Sequence, residues 1–306
     1  MRSERGVDEL PAMRASLGCG VVLGSVLLLN GCGMVHDAPA AEPPDGLVRT
    51  PYLATVLDDG DGPELCLGAV AESYPPQCGG PALVSWDWAD HEGTFEEASG
   101  VRWGAYALVG RYDSDANTFE VESVSNEPLA TSPPAEMDFS TPCEEPDGGW
   151  RVRDTSAVAM ADREAAFALA ESLEGYAGAW VDRQPHEIPS PTPGDDDSQI
   201  AYEEAMNDPL YTIINVQVTG DIAATEEKLR EVWSGMLCVS HAERSEAELH
   251  DILNELMSIP NSLGVGTDVI DNAVDLSVIY DDGTLQRELD EKYGKGVVEV
   301  DSALVG

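Results

Sequence analysis

The chain has 306 residues, 42% of them hydrophobic and only 6% aromatic, and carries 58 acidic against 16 basic side chains, a formal net charge of −42. A surface so negative repels nucleic-acid phosphates and anionic lipid headgroups, which excludes nucleic-acid binding and membrane docking through basic patches. Acidic side chains also keep a protein hydrated and unaggregated, so the charge by itself names no ligand.

The first readable element is an apolar run from Leu17 to Leu29, free of charge and preceded by Met13-Arg14. It has the length of a signal-peptide core. A membrane-spanning helix needs roughly 20 apolar residues to cross a core of about 30 Å, and this run ends sooner, at Asn30-Gly31. Leu29-Asn30-Gly31-Cys32 resembles the lipobox of bacterial lipoproteins, with the branched apolar residue at Leu29 and the small residue at Gly31. The resemblance implies cleavage after Gly31 and attachment of diacylglycerol and a further acyl chain, such as palmitate, to Cys32. Two or more chains on one residue make a stable anchor, where one would bind only marginally. Glu4, Asp8 and Glu9 suit a signal n-region poorly, so translation is expected to begin at Met13 rather than Met1. The expected order is a signal peptide at 1–31, a flexible tether at 32–46 rich in Ala, Pro and acid, and folded chain from about Leu47.

Export to an oxidising compartment gives the remaining cysteines a meaning. Cys66, Cys78, Cys143 and Cys238 are even in number, which predicts two disulfides out of three connectivities. Cys66 and Cys78 flank a segment containing Pro75-Pro76 and followed by Gly79-Gly80, a local loop stapled closed; Cys143 then pairs with Cys238 by elimination. A metal site ranks far below this, because no two cysteines form a C-x-x-C pair and the five histidines are scattered.

Residues 47–125 alternate strands and turns. The clearest hairpin joins Tyr106–Tyr112 to Thr118–Val124 through Asp113 to Asn117, all turn formers apart from one alanine. This half is expected to be a small all-β domain of the barrel type. Residues 126–150, with Pro128, Pro133, Pro134, Pro142 and Pro146, form a linker.

Residues 151–306 are expected to form an α+β domain in which helices pack over one sheet, in the order α-β-β-α-β-α-β-α-β. Thr155 or Ser156 caps a first helix with a stripe of Val158, Ala161, Ala165, Leu169 and Leu173. Strands follow at Tyr176–Val181 and Thr212–Val218, separated by a solvated loop from Pro185 to Ser198. A helix from Asp221 and a strand at Met236–Ser240 come next. Ser245 with Glu248 makes a capping box before the stripe Leu249, Ile252, Leu253, Leu256 and Met257. The chain closes with a strand at Val274–Tyr280, a helix through Leu285, Leu289 and Tyr293, and a strand at Gly296–Val300.

Over about 162–300 the landmarks Tyr176–Asp182, Val216–Asp221, Ser240 with Glu246–Leu249, and Asp271–Leu276 resemble those of the pro-regions of streptogrisin-type serine proteases. That family's pro-regions bind, help to fold and inhibit their own protease. No Gly-Asp-Ser-Gly segment follows in this chain, so the resemblance implies a binding fold without the protease. Glu64–Gly68 and Tyr74–Gly80 resemble an uncharacterised family of actinobacterial lipoproteins, which brings no known activity. Lysine at only positions 228, 292 and 295, with abundant Arg, Ala, Gly and Asp, fits such a GC-rich genome, and fits a salt-adapted organism equally.

The residues give no support for catalysis. There is no Gly-x-Ser-x-Gly elbow, zinc-helix motif, phosphate loop or dinucleotide fingerprint, and Ser234 and His241 should be held apart by a strand. Asp113, Asp115 and Asn117 match the first, third and fifth places of a calcium loop, but Thr118 replaces its glycine and Val124 its glutamate, so a hairpin turn is expected. Asp58, Asp59 and Asp61, like Asp195–Asp197, read as exposed acidic turns. Trp86 and Trp88 face one side of a strand and are expected in the core rather than on a sugar. The resulting expectation is a non-catalytic binding protein without cofactor or metal, held to the outer face of the cell membrane by its lipid. Its partner is an extracytoplasmic protein or a cell-wall component, and the alternative is a protease regulator.

Overall fold

The structure, a computed structural model, describes residues 46–133, 137–183, 188 and 190–306, all within one compact unit. The fold is α+β. Its N-terminal part contains β1 (Val48–Arg49), β2 (Ala54–Asp58), β3 (Pro63–Cys66), β4 (Ala82–Val84), β5 (Glu96–Ala98), β6 (Val101–Asp113) and β7 (Thr118–Ser125). β6 pairs β2, β2 pairs β3, β3 pairs β4, β4 pairs β7 and β7 returns to β6, so five strands close into a barrel. The thirteen-residue β6 reaches both neighbours by giving Arg102–Tyr106 to β2 and Ala107–Asp113 to β7. A bulge at Val109/Gly110 bends it there, and Gly110 lies so close to the Glu120 carbonyl that no larger residue fits.

The barrel interior holds Val56, Leu65, Leu83, Tyr106, Leu108 and Phe119. Trp86 and Trp88 join this core as expected, although neither lies on a strand, since β4 ends at Val84 and Trp88 opens a 3₁₀ turn at Trp88–His91; their rings meet edge-on at 5.4 Å, and the Trp88 indole donates to Asp58 Oδ2 at 3.0 Å. Two residues from the far end of the chain complete it, Ile279 and the fully buried Leu304. The segment carrying Leu304 is held on both sides: Arg49 and Val305 exchange backbone hydrogen bonds, and Leu304 N–H donates to Ile279 C=O. Removing Leu304 from water therefore ties the last residues into the first core.

The C-terminal part repeats one motif. Its first copy is α1 (Met160–Glu171), β8 (Tyr176–Arg183), β9 (Thr212–Val218), α3 (Ile222–Leu229) and β10 (Met236–His241), with α2 (Asp196–Asn207) inserted between β8 and β9. Its second copy is α4 (Glu246–Leu256), β11 (Ser262–Asp268), β12 (Ala273–Val278), α5 (Thr284–Tyr293) and β13 (Val298–Ser302). In each copy the first strand pairs antiparallel with the second and the third parallel with it. The expected single sheet is thus two three-stranded sheets, one per copy.

Alternation explains which face each sheet buries. Ile214, Val216, Val218, Leu237 and Val239 pack against α1 and α3 through Ala166, Ala170, Leu229 and the fully buried Trp233. Val274, Leu276, Val278 and Val298 pack against α4 and α5 through Leu249, Leu256 and Leu289. The Ser245/Glu248 capping box forms as expected, with Glu248 N–H donating to Ser245 Oγ and Ser245 N–H donating to Glu248 Oε2.

Three local expectations are corrected. The first helix starts at Met160, because Asp154 caps a short 3₁₀ turn at Thr155–Ala157, and it buries Ala166 and Ala170 in place of Ala161 and Ala165. The acidic run Asp195–Asp197 begins α2: the Asp195 carboxylate accepts from Ser198 N–H as a helix cap, and Asp196 and Asp197 sit favourably in the first turn. β11 is an additional strand whose two interior glycines hid it.

Candidate functional site

Residues 137–153, of which 137–150 are expected as linker and 151–153 as the start of the α+β domain, form a strap across the back face of the β8–β9–β10 sheet. Thr141 donates through both its N–H and its hydroxyl to Asp182 Oδ2, at 2.8 and 2.7 Å. The Trp180 indole donates to Phe139 C=O at 3.0 Å, and Arg153 N–H donates to Ser234 C=O. Cys143, Trp150 and Val152 pack on Ile213, Met236 and Cys238. The Cys143–Cys238 disulfide fastens the strap to β10, and Cys66–Cys78 staples the loop after β3. Both bonds are the pairs expected from spacing, and both fit an extracytoplasmic protein.

The same back face is polar at its centre. Asn215 and Gln217 are buried, and with Ser240 they leave Asn215 Oδ1, Gln217 Oε1 and Ser240 Oγ without a partner among the described residues. Gly178, in positive φ, sits beneath Val269, which would collide with any side chain there.

Two clefts flank the strap. One, of about 620 Å³, lies between Trp150, Val152, Leu210, Tyr211 and Met236, with Glu145 and Arg151 among its lining. The other, of about 430 Å³, runs beside Met236, Leu237, Cys238 and Val239 of β10 and is walled by Glu144, Asp147, Arg153, Glu226 and Arg230. The Glu226 carboxylate receives Arg153 Nη2 and Arg230 Nε, each at 3.3 Å, and Arg230 Nη1 donates to Gly235 C=O at 2.6 Å. Burial, and next the charge of Arg153, lower the pKa of Arg230, with Glu226 opposing them. An aromatic and aliphatic lining with a few charges is the composition common to ligand clefts. No family model matches the chain, and neither does any curated protein.

Of the residues that the amino-acid sequence singles out, Leu29, Asn30, Gly31 and Cys32 lie outside the described residues. Asp113 accepts from Asp115 and Ala116 N–H through Oδ1, and Asn117 takes a positive φ, which makes the would-be calcium loop a hairpin turn. Asp58 and Asp59 likewise accept from Gly60 and Asp61 N–H. Ser234 precedes β10 and His241 ends it, so a strand about 17 Å long, at about 3.3 Å per residue, lies between them. Among the described residues no group of three or more His, Cys, Asp or Glu could hold a metal, and no helix is long and apolar enough to cross a membrane. Trp150, Arg151, Arg153 and Tyr211 do not stand out in the sequence. The available signal is a cysteine inside a Pro-rich linker whose partner lies on a strand, which forces that linker onto the fold.

Proposed function

We propose that the protein is a lipid-anchored binding protein of the bacterial cell surface, non-catalytic, tethered through Cys32 and engaging an extracytoplasmic protein or wall component. The observation that carries the compartment is the pair of disulfides, one of which crosses 95 residues to hold the strap in place. The lipobox-like Leu29–Cys32 supports the anchor, and the clefts beside the strap support binding. The test is fractionation of Cys32→Ser. The substituted protein should leave the membrane fraction, whereas a product that stays embedded counts against the anchor. Cross-linking in the intact envelope, followed by capture of the anchored protein, should return a defined partner; its absence counts against binding.

A second reading is protease regulation. It is favoured by the pro-region landmarks, which fall on β8, on β9, at the start of α4 and at the entry to β12. Incubation of the full chain with secreted trypsin-like proteases should then give inhibition or a stable complex, and the absence of both would remove this reading.

A further inference from the structure

The two copies of the α-β-β-α-β motif differ at one strand edge. In the first copy Ala242 N–H donates to Val218 C=O, and in the second Ala303 N–H donates to Val278 C=O. In a parallel pair the inward and outward backbone groups alternate. Leu237, Val239 and His241 therefore turn their N–H and C=O groups away from β9, as Val298, Val300 and Ser302 turn theirs away from β12.

In the second copy this edge is closed. Gln286 Nε2 donates to Val298 C=O at 2.9 Å, and Val300 N–H donates to Gln286 Oε1 at 2.8 Å, so one amide imitates a passing strand. Gln286 lies five residues after Asp281, whose carboxylate receives the Leu285 and Gln286 N–H groups in the first turn of α5; Glu226 lies five after Asp221, which caps α3. The residue matching Gln286 is therefore Glu226. A carboxylate has no N–H for the Leu237 carbonyl, and this one is turned to Arg153 and Arg230. The cleft of about 430 Å³ lies at this edge, with Cys143 Sγ 3.7 Å from Val239 C=O as part of its wall.

We propose that the open edge of β10 accepts an extended peptide bearing a basic side chain, which adds beside Leu237 and Val239 as a further strand. Strand addition draws its affinity from backbone hydrogen bonds and its selectivity from neighbouring side chains. The cleft lining balances Glu144, Asp147 and Glu226 against Arg151, Arg153 and Arg230, but Glu226 is held by Arg153 and Arg230 whereas Glu144 and Asp147 have no hydrogen-bond or ion-pair partner among the described residues, and the net charge of −42 draws cations toward them. This inference rests on the binding reading above and narrows its ligand class.

The test uses the full chain in detergent and three labelled pentapeptides in which valine alternates with lysine, with glutamate or with serine, read by fluorescence polarisation. The lysine peptide should bind, and the other two should bind at least about tenfold more weakly. A backbone N-methylated lysine peptide should lose about tenfold or more, because it cannot donate to the edge. Glu226→Gln, which installs the closing amide of the second copy, should weaken the unmodified peptide by a similar factor, while Gln286→Ala should not. Binding indifferent to both N-methylation and Glu226→Gln would overturn the edge and leave only charge attraction. No binding of any peptide, alongside a partner cross-linked elsewhere on the molecule, would sink this inference and leave the binding reading standing.

Discussion

Leu304→Ala tests whether the barrel and the repeated α+β part unfold as one body. Leu304 is fully buried in the cluster of Val48, Val56, Leu108 and Ile279, so the substitution removes apolar contact and leaves a cavity. Core leucine-to-alanine changes cost about 2–5 kcal/mol, and a site walled by β1 and the end of β12 has little room to collapse, so a cost of about 3 kcal/mol is expected. For a chain of this size that lowers Tm by about 6–12 °C. All the α-helices among the described residues lie after Ala157, whereas three tryptophans (Trp86, Trp88 and Trp103) lie in the barrel and three (Trp150, Trp180 and Trp233) outside it, so far-UV helix ellipticity follows the C-terminal part and fluorescence follows both. Both signals should shift together in one transition. A helix signal that melts at the unaltered temperature while fluorescence moves, or a loss under about 1 kcal/mol, would refute the account of the C-terminal residues as a tie between the two parts.

The two disulfides should differ in worth. Cys143–Cys238 spans 95 residues and Cys66–Cys78 spans 12, so removing the first by a double serine substitution should cost about 4–5 kcal/mol and the second about 3, read from urea midpoints; the reverse order would contradict the chain-entropy reasoning. Ser245→Ala should cost about 1 kcal/mol through the cap of α4. The Ser245 N–H and hydroxyl hold the Glu248 carboxyl below its usual range, so its contribution is present above the ordinary glutamate pKa and disappears as pH falls through the lowered one. A Ser245→Ala deficit that persists undiminished in acid would disagree. Asp275 behaves oppositely: burial, then Asp268, Glu299, Asp271 and Asp301, raise its pKa. Its charge therefore opposes folding as pH rises past the ordinary aspartate range, and Asp275→Asn should stabilise at neutral pH by up to about 1 kcal/mol, with the gain vanishing in acid.

Local rules made much of this fold readable. The capping box of α4 is decided within four residues, and the Asp113–Asn117 hairpin by turn chemistry alone, so both follow from the chain itself. The elements that escaped depend on contacts made at a distance. β11 does not read as a strand because Gly264 and Gly266 interrupt it, and it becomes one by pairing with β12. Asp195–Asp197 looked like a solvated turn because a cap and an acidic loop share the same residues, and only the helix behind them separates the two. The clefts were invisible for a further reason. They exist where Cys143 meets Cys238, and no periodicity states that the segment between Cys143 and Arg153 will lie across the β8–β9–β10 sheet.

The proposed anchor, and with it the surface role, depends most on Cys32. Mass spectrometry of the N-terminal peptide from the membrane-extracted protein measures it directly. The expected result is a chain beginning at residue 32 whose cysteine carries diacylglycerol and an added acyl group. A bare cysteine there, or a mature chain beginning elsewhere, would contradict the account.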